Sequence, residues 1–561
     1  MFDSEFRIWI STARERYSFV KSLLKRSVND PESEPYKSKY EAKDILLKLV
    51  SDIEKWKSRD NLLIIHCLFR YKLGVISLET EELSAGCEYL TSSWEDIQNF
   101  ARKPECCVLA LSILNQLGIL WCERGENEKG CTYLEEAENI YYQYKETNET
   151  IPYSLDDLFS IETGTARNWS TFEDIFTHTL YYLAQVYEHL KKNDKAAKYC
   201  HMTLKRQKES GKYKANSWAI NCATLSQYYV QEKKYIEARH LLSCSSSILS
   251  AYEKEVEQDA ENEDTLEELR RSKAEVAWCW LKYCLNLLLD PPSASETDSK
   301  NDIITDFVLF RAEDVICMEK EVSACINSFE DARHVFLFAQ NQILTVKSYY
   351  TLNHHANNHV QLVRDHSKLY KSLSTYESDL GRKCKMHKRS VDLLEGVLSK
   401  LNPQYYLAVC RQLMFELGET YYEMVDLKLK LSQSSTEGLS IRVVKKINCL
   451  IMHSIKHFEN FSNFVKNRDG TFPEALSDDL VRPVLVAHFY LGGLYSKLIE
   501  CDTNKKLHNL SKSEEYYKFI LNYIEKNPSD ASSIEKELPV VKEMVELMPQ
   551  KIMYITGSTI F

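Results

Sequence analysis

The feature that most constrains this chain is a pair of small residues recurring at one fixed separation. Leu73-Gly74 is followed twelve residues after the glycine by Gly86, Leu117-Gly118 by Gly130, Leu183-Ala184 by Ala196, and Leu225-Ser226 by Ala238. A leucine stands four residues beyond the second small position in three of the four cases (Leu90, Leu134, Leu242), and an aromatic three beyond the first in three of them (Trp121, Tyr187, Tyr229). The apolar residues between these points recur every three or four positions, the period of a helix rather than a strand. Small residues at both places let two antiparallel helices approach closely, while the aromatic fills the gap to the next hairpin. This is the spacing of the tetratricopeptide hairpin.

The expected fold is therefore all-α, a tetratricopeptide-like right-handed α-solenoid. Only 15 Gly and 12 Pro are spread over 561 residues, so there are few breaks and no convincing strand. The steps between successive matches exceed the usual 34 residues, and the longest contains residues 145–170, KETNETIPYSLDDLFSIETGTARNWS, which reads as an ordered loop or short extra helix. Residues 290–302, DPPSASETDSKND, have the Pro/Ser/Asp composition of a break. They divide the chain into two halves: an N-terminal solenoid over 1–289 and a degenerate helical-repeat continuation over 303–561. In the second half the pattern returns as Leu417-Gly418 with Tyr421 and Leu491-Gly492 with Tyr495, each with a longer connection to its partner helix.

Composition narrows the function classes. A net charge of −11 opposes binding to nucleic acid and to anionic membrane and favours a basic protein surface. Of the 17 cysteines, Cys106, Cys107, Cys200 and Cys222 sit in apolar helical patterns and no C-x-x-C occurs, so cysteine reads as a small hydrophobe in a reducing cytosol. The N-terminus lacks the pattern of a signal peptide, and no apolar run reaches the ~20 residues of a membrane helix. Phosphate-cradle and nucleophile-elbow motifs are absent, so no cofactor and no catalysis are expected. His355, His359 and His366 have a spacing that can share an ion, but no general base accompanies them, and a polar helix start is the preferred reading over a metal site. The run Arg382, Lys383, Lys385, Lys388 and Arg389 reads as a solvated helix face rather than a nucleic-acid patch. The C-terminal Thr559-Ile560-Phe561 is compatible with a weak PDZ contact through its carboxylate.

The first helix of each hairpin should line the inner side of the superhelix. On a helical wheel the inner positions of the third repeat are His178, Tyr181, Tyr182, Gln185 and Glu188; those of the fourth are Ile220, Ala223, Thr224 and Gln227. Tyr, Gln, Thr and His in a groove suit a folded polypeptide surface. Co-chaperones of this fold hold a C-terminal carboxylate with cations at two inner places, which here read Tyr71/Val75, Asn115/Ile119, Tyr181/Gln185 and Ala223/Gln227. None is a cation, so a carboxylate clamp is not expected.

Several strings are more specific than the repeat: EPYKSKY, TEELSAG, LYYLAQVYEHL with AAKYCHMTLKRQ, WAINCATLSQYY, RKCKMHKR and LNPQYYL. They resemble the KIF-binding protein family from about residue 34 to the last helix. Where the relatives carry a longer acidic segment before the first repeat, this chain has only SDIEKWKSRDNL. The resemblance implies a non-enzymatic, cytoplasmic, cytoskeleton-associated solenoid that grips kinesin motor domains on its concave face and blocks their microtubule attachment. It also implies Tyr182, Gln185, Gln207, Thr224 and Gln227 as contacts, Tyr182 foremost, with His178 and Glu188 beside them. An acidic protein could compete with acidic tubulin for the basic face of a motor. The alternative is a generic tetratricopeptide scaffold for another cytosolic protein; an enzyme built on the histidines ranks third.

Overall fold

The structure is a computed structural model describing residues 2–53, 60–147, 150–159, 168–257, 263–291, 307–433, 440–467 and 469–558. Among the described residues every regular element is helical, and none of the helices is long and apolar enough to cross a membrane. The chain divides into two compact units. One holds the residues up to Tyr228 together with the segment ending at Arg311; the other holds the remainder. The first division falls inside the first helix of the fourth predicted hairpin. Residues 292–302, most of the predicted break, lie outside the described residues.

The first unit contains α1 (Phe2–Arg26), α2 (Lys37–Ile53), α3 (Asp60–Glu79), α4 (Leu83–Ile97), α5 (Cys107–Glu123), α6 (Asn127–Thr147), α7 (Ser170–His189), α8 (Asn193–Ser210) and most of α9 (Ala215–Gln231). The second contains α10 (Tyr235–Val256), α11 (Glu263–Leu289), α12 (Glu313–Glu321), α13 (Phe329–Tyr349), α14 (Ala356–Tyr376), α15 (Leu380–Leu398), α16 (Leu407–Gln433), α17 (Ile441–Asn463), α18 (Asp478–Lys497), α19 (Thr503–Lys526) and α20 (Leu538–Ser558).

The small-residue pairs do what their spacing predicts. A Cβ on Gly74 would lie 2.7 Å from Leu90 Cγ and 3.3 Å from the carbonyl oxygen of Gly86; one on Gly86 would lie 3.2 Å from that of Gly74. Gly118 and Gly130 repeat the arrangement, with Leu134 Cγ 2.6 Å from a Cβ on Gly118. Glycine is required because backbone meets backbone across the hairpin. Ala184 and Ala196, only half-buried, are the looser version in α7 and α8, while Ser226 and Ala238 are fully buried.

Each of the four matches also ends its first helix in the same way. A residue in the left-handed region stands seven positions beyond the first small residue: Glu81 (φ 65°), Gly125 (φ 81°), Lys191 (φ 57°) and Lys233 (φ 59°). The following amide closes back onto the helix, Glu82 N–H to the Ser77 carbonyl at 2.8 Å, Glu126 to Trp121 at 2.9 Å, Lys192 to Tyr187 at 2.9 Å and Lys234 to Tyr229 at 2.8 Å. This is the Schellman closure, which satisfies orphan carbonyls at a helix end. Its recurrence makes the four segments structural equivalents.

The template aromatic joins neighbouring hairpins through its hydroxyl. Buried Tyr187 donates to Glu135 of α6, Tyr421 of α16 to Glu395 of α15 at 2.8 Å, and Tyr495 of α18 to Glu459 of α17 at 2.8 Å. Trp121 departs from this expectation. Its ring lies beneath Lys129 Nζ at 3.2 Å, with Arg124 at 5.1 Å, so it packs under the second helix and the turn of its own hairpin. In the second unit the partner small residues are serines: Ser454 donates to the Gly418 carbonyl and Ser513 to the Gly492 carbonyl, both at 2.7 Å. Rings cover those glycines, Phe458 and Tyr517 each lying 2.7 Å from where a Cβ would stand.

In the long step between the second and third matches, residues 148–149 and 160–167 lie outside the described residues, and the segment between them is ordered. Residues 150–159 end in a 3-10 turn, Asp157–Phe159, and Phe159 stacks on Tyr17 of α1 with ring centroids 5.1 Å apart. Beyond the break, the chain returns to the first unit: Phe307 stacks on His201 of α8 at 4.5 Å, and Phe310 packs on Trp218 of α9 at 6.1 Å.

Candidate partner-binding face

Helix α7 carries the predicted site because its sequence separates two faces. Phe172, Phe176, Leu180, Leu183 and Tyr187 are buried, the Phe176 ring lying flat on Tyr141 at 3.5 Å. On the other side His178, Tyr181, Gln185 and Glu188 are exposed, and Tyr182 is half-buried against the core. Spacings of three and four place the exposed set on one stripe.

The stripe is internally organised. Gln185 donates from Nε2 to the Tyr181 hydroxyl at 2.9 Å, and the Tyr181 and Tyr182 rings meet edge to face at 5.4 Å. Burial, with smaller contributions from Tyr181 and Glu123, raises the Tyr182 phenol above its ordinary value, so it is a neutral donor at physiological pH. Tyr181 is 39% exposed and is the more accessible of the two phenols. The sequence reading gave Tyr182 the greater weight; the signal favouring Tyr181 was its place four residues before Gln185, the spacing that lets the two side chains meet.

A network behind the face holds α6, α7 and α8 together. Tyr141 donates to Glu173 at 2.6 Å and Lys145 at 2.8 Å, and Arg206 bonds the same carboxylate and also reaches Thr177 Oγ1 at 3.2 Å. Burial disfavours the Glu173 anion, but these bonds outweigh it and leave the carboxyl below its ordinary value. Gln207, the residue after Arg206, is half-buried in the last turns of α8. Helix α9 is fixed on α8 at both ends, by Trp218 Nε1 donating to the Leu204 carbonyl at 3.0 Å and by Tyr228 bonding Asp194. It presents Thr224 exposed and Gln227 half-buried, the latter donating to Ser226 Oγ at 3.0 Å.

Three predicted inner positions are not open. Ala223 and Tyr71 are buried. Asn115 is buried with its amide bridging α5 to α7: Nδ2 donates to the Ile175 carbonyl at 3.2 Å, and Oδ1 accepts from Thr179 at 2.9 Å. The wheel treated α5 as free on that side, whereas α7 covers it.

The histidines of the possible metal site face separate partners. His355 stacks on Tyr349 at 5.3 Å, His359 Nδ1 bonds the Tyr350 carbonyl at 2.9 Å, and His366 lies on Tyr370 with Nε2 2.8 Å from the Gln340 amide. Among the described residues no group of three His, Cys, Asp or Glu is placed to hold an ion. The C-terminal residues 559–561, with their PDZ motif, lie outside the described residues.

Comparison with known proteins gives one consistent result. A family profile described as KIF-1 binding protein C terminal matches residues 216–555. The chain is 41% identical to the Gallus gallus KIF-binding protein, covering 97% of each chain. It is 36% identical to the Homo sapiens KIF-binding protein, covering 93% of this chain and 94% of that one. A structure titled cryo-EM map of KIFBP superposes with a TM-score of 0.63 at 30% identity, covering 97% of this chain and 100% of the other.

Proposed function

The chain belongs to the KIF-binding protein family, and from that premise we propose that it is a non-catalytic adaptor that grips kinesin motor domains and keeps them off microtubules. The grip uses the exposed stripe of α7, with Gln207 of α8 and Thr224 and Gln227 of α9. The observation carrying this reading is the Tyr181–Gln185 pair beside Tyr182: uncharged donors and acceptors, held by a rigid helix and backed by the Arg206–Glu173 network. Tyr and Gln on a fixed element give contact area and hydrogen bonding at little entropic cost, which is how a few residues come to dominate a protein interface. Blocking follows if the surface of the motor covered by this face overlaps its tubulin-binding surface. The protein would then act in the cytoplasm, on cytoskeletal transport.

The test is retention of purified kinesin motor domains by the immobilised chain, repeated with Tyr181→Ala, Tyr182→Ala and Gln185→Ala. At least one variant should weaken retention about tenfold or more, and the wild type should reduce motor co-sedimentation with microtubules. Unchanged retention in all three moves the contact elsewhere. Failure of every motor domain to bind would favour a tetratricopeptide scaffold for a different partner. Retention without loss of co-sedimentation would remove the blocking step alone.

A further inference from the structure

The second unit carries a cleft of opposite character to the chain as a whole. Helices α14, α15 and α16 and the end of α11 border an open cleft of 670 Å³, and four lysines line it: Lys368, Lys371, Lys383 and Lys430. They come from three helices by helical spacing. Lys368 and Lys371 are three apart on α14, Lys383 stands four before His387 on α15, and Lys430 lies seven beyond Glu423 on α16. Among the described residues only two carboxylates share the lining, Glu423 and Asp426.

Both of those acids are already engaged. Glu423 lies 3.2 Å from Lys371 Nζ and 3.2 Å from His387 Nδ1, and Asp426 is 2.9 Å from Lys497. Among the described residues Lys368, Lys383 and Lys430 make no ion pair. On α15, Lys388 is paired with Asp392 at 2.8 Å and Arg382 with Glu377 at 3.3 Å, while Lys383 faces the cleft. In a chain of net charge −11, three uncompensated ammonium groups around one concavity form a local field that attracts anions.

The lining also restricts which anion fits. Among the described residues it contains no arginine fork, the group best matched to bidentate phosphate recognition. It does contain the apolar side chains of Leu289 and Leu427, Leu289 being largely exposed at the end of α11. Point charges on flexible stems around an apolar floor suit separate carboxylates on one chain with an apolar side chain between them. The floor is fixed, because Tyr376 of α14 donates to the Leu288 carbonyl at 2.9 Å.

We propose that this cleft is a second partner-binding site, which takes an acidic segment of another protein through its glutamate or aspartate carboxylates and one apolar residue. The site is independent of the face on α7. It gives an acidic adaptor the means to hold an acidic partner that its overall charge would repel.

The experiment is fluorescence anisotropy of the full-length chain with a labelled glutamate-rich peptide carrying one leucine. Saturable binding is expected, weakening as salt rises. The double variant Lys383→Glu/Lys430→Glu should raise the Kd at least about tenfold, and Leu289→Ala should raise it by a smaller factor without altering the salt dependence. Lys388→Glu, outside the cleft, should leave it unchanged, and circular dichroism of each variant reports that it is folded. Motor retention should be the same in the wild type and in the double variant, which separates this proposal from the kinesin reading. No saturable binding, an equal loss with Lys388→Glu, or binding of inorganic tripolyphosphate or a phosphopeptide in place of the carboxylate peptide would overturn the proposal.

Discussion

Replacing Gly130 by alanine should loosen the hairpin of α5 and α6 although alanine is the better helix former. A Cβ there would stand 2.8 Å from the Gly118 carbonyl oxygen and 3.3 Å from the Cys122 amide nitrogen, with Cys122 Sγ closer still. The carbonyl contact is about 0.6 Å short of ordinary van der Waals separation, and backbone atoms cannot rotate away as the end of a leucine can. Overpacking of this kind costs about 1–3 kcal/mol, here toward the upper end, against about 1 kcal/mol gained in helix propensity. The net is a loss of about 2 kcal/mol. Gly396 of α15 is the control: a Cβ there meets nothing within 4 Å, so Gly396→Ala should stabilise by about 0.5–1 kcal/mol. The assay is native-state hydrogen exchange by peptide mass spectrometry. Amides of α5 and α6 should exchange about thirtyfold faster in Gly130→Ala, by the conversion of 1.4 kcal/mol to a factor of ten. Those of α15 should exchange more slowly in Gly396→Ala. Unchanged exchange in the first variant, or the same direction in both, would refute the close-approach argument.

Lys191 holds the left-handed corner between α7 and α8 at φ 57°, so Lys191→Gly should slow exchange across that hairpin by a stabilisation of about 0.5–1 kcal/mol, while Gly125→Ala at the equivalent corner should do the reverse. Arg206→Ala leaves the Glu173 carboxylate with only Lys145 and Tyr141; a loss of about 1–2 kcal/mol, read as faster exchange in α6–α8, is expected, and an unchanged rate would show that the network adds nothing. Burial holds His488 and His366 neutral, each lowered to about 4. The unfolded chain takes up these protons first, so the stability is fully present above about 6.5 and is lost as pH falls toward 4, by about 3 kcal/mol for His488; His488→Phe should flatten that slope in urea titrations of the second unit. Thiol labelling of the native chain should begin at the exposed Cys317, Cys449 and Cys501 and spare Cys222, Cys244 and Cys284.

The first unit was legible wherever the close approach demanded glycine, since Gly74, Gly86, Gly118 and Gly130 mark backbone contacts that no other residue tolerates. It was illegible where the same job fell to common residues. Ser454 and Ser513 stand opposite Gly418 and Gly492, but serine is frequent and the longer connections break the spacing of twelve. The hairpin of α1 and α2 carries no marker, and three of the four corners use Glu81, Lys191 and Lys233, whose backbone conformation leaves no trace in their identity. At the candidate site, helical period alone placed His178, Tyr181, Gln185 and Glu188 outward. It failed at Asn115, Tyr71 and Ala223 because their burial depends on which neighbouring helix lies across them, a long-range fact that a wheel does not contain. Of the cleft lysines only Lys383 stood out, as part of a basic run; that it shares a cleft with Lys368, Lys371 and Lys430 required three helices to be assembled.

The hydroxyl rivets from Tyr187 to Glu135, Tyr421 to Glu395 and Tyr495 to Glu459 each tie a hairpin to the helix immediately preceding it in the chain. No rivet in this set skips a neighbour. In the second unit, tension between the ends is carried through two of these joints in series, so one can part before the other. A tether built this way would yield in steps rather than in one collapse, absorbing work at each.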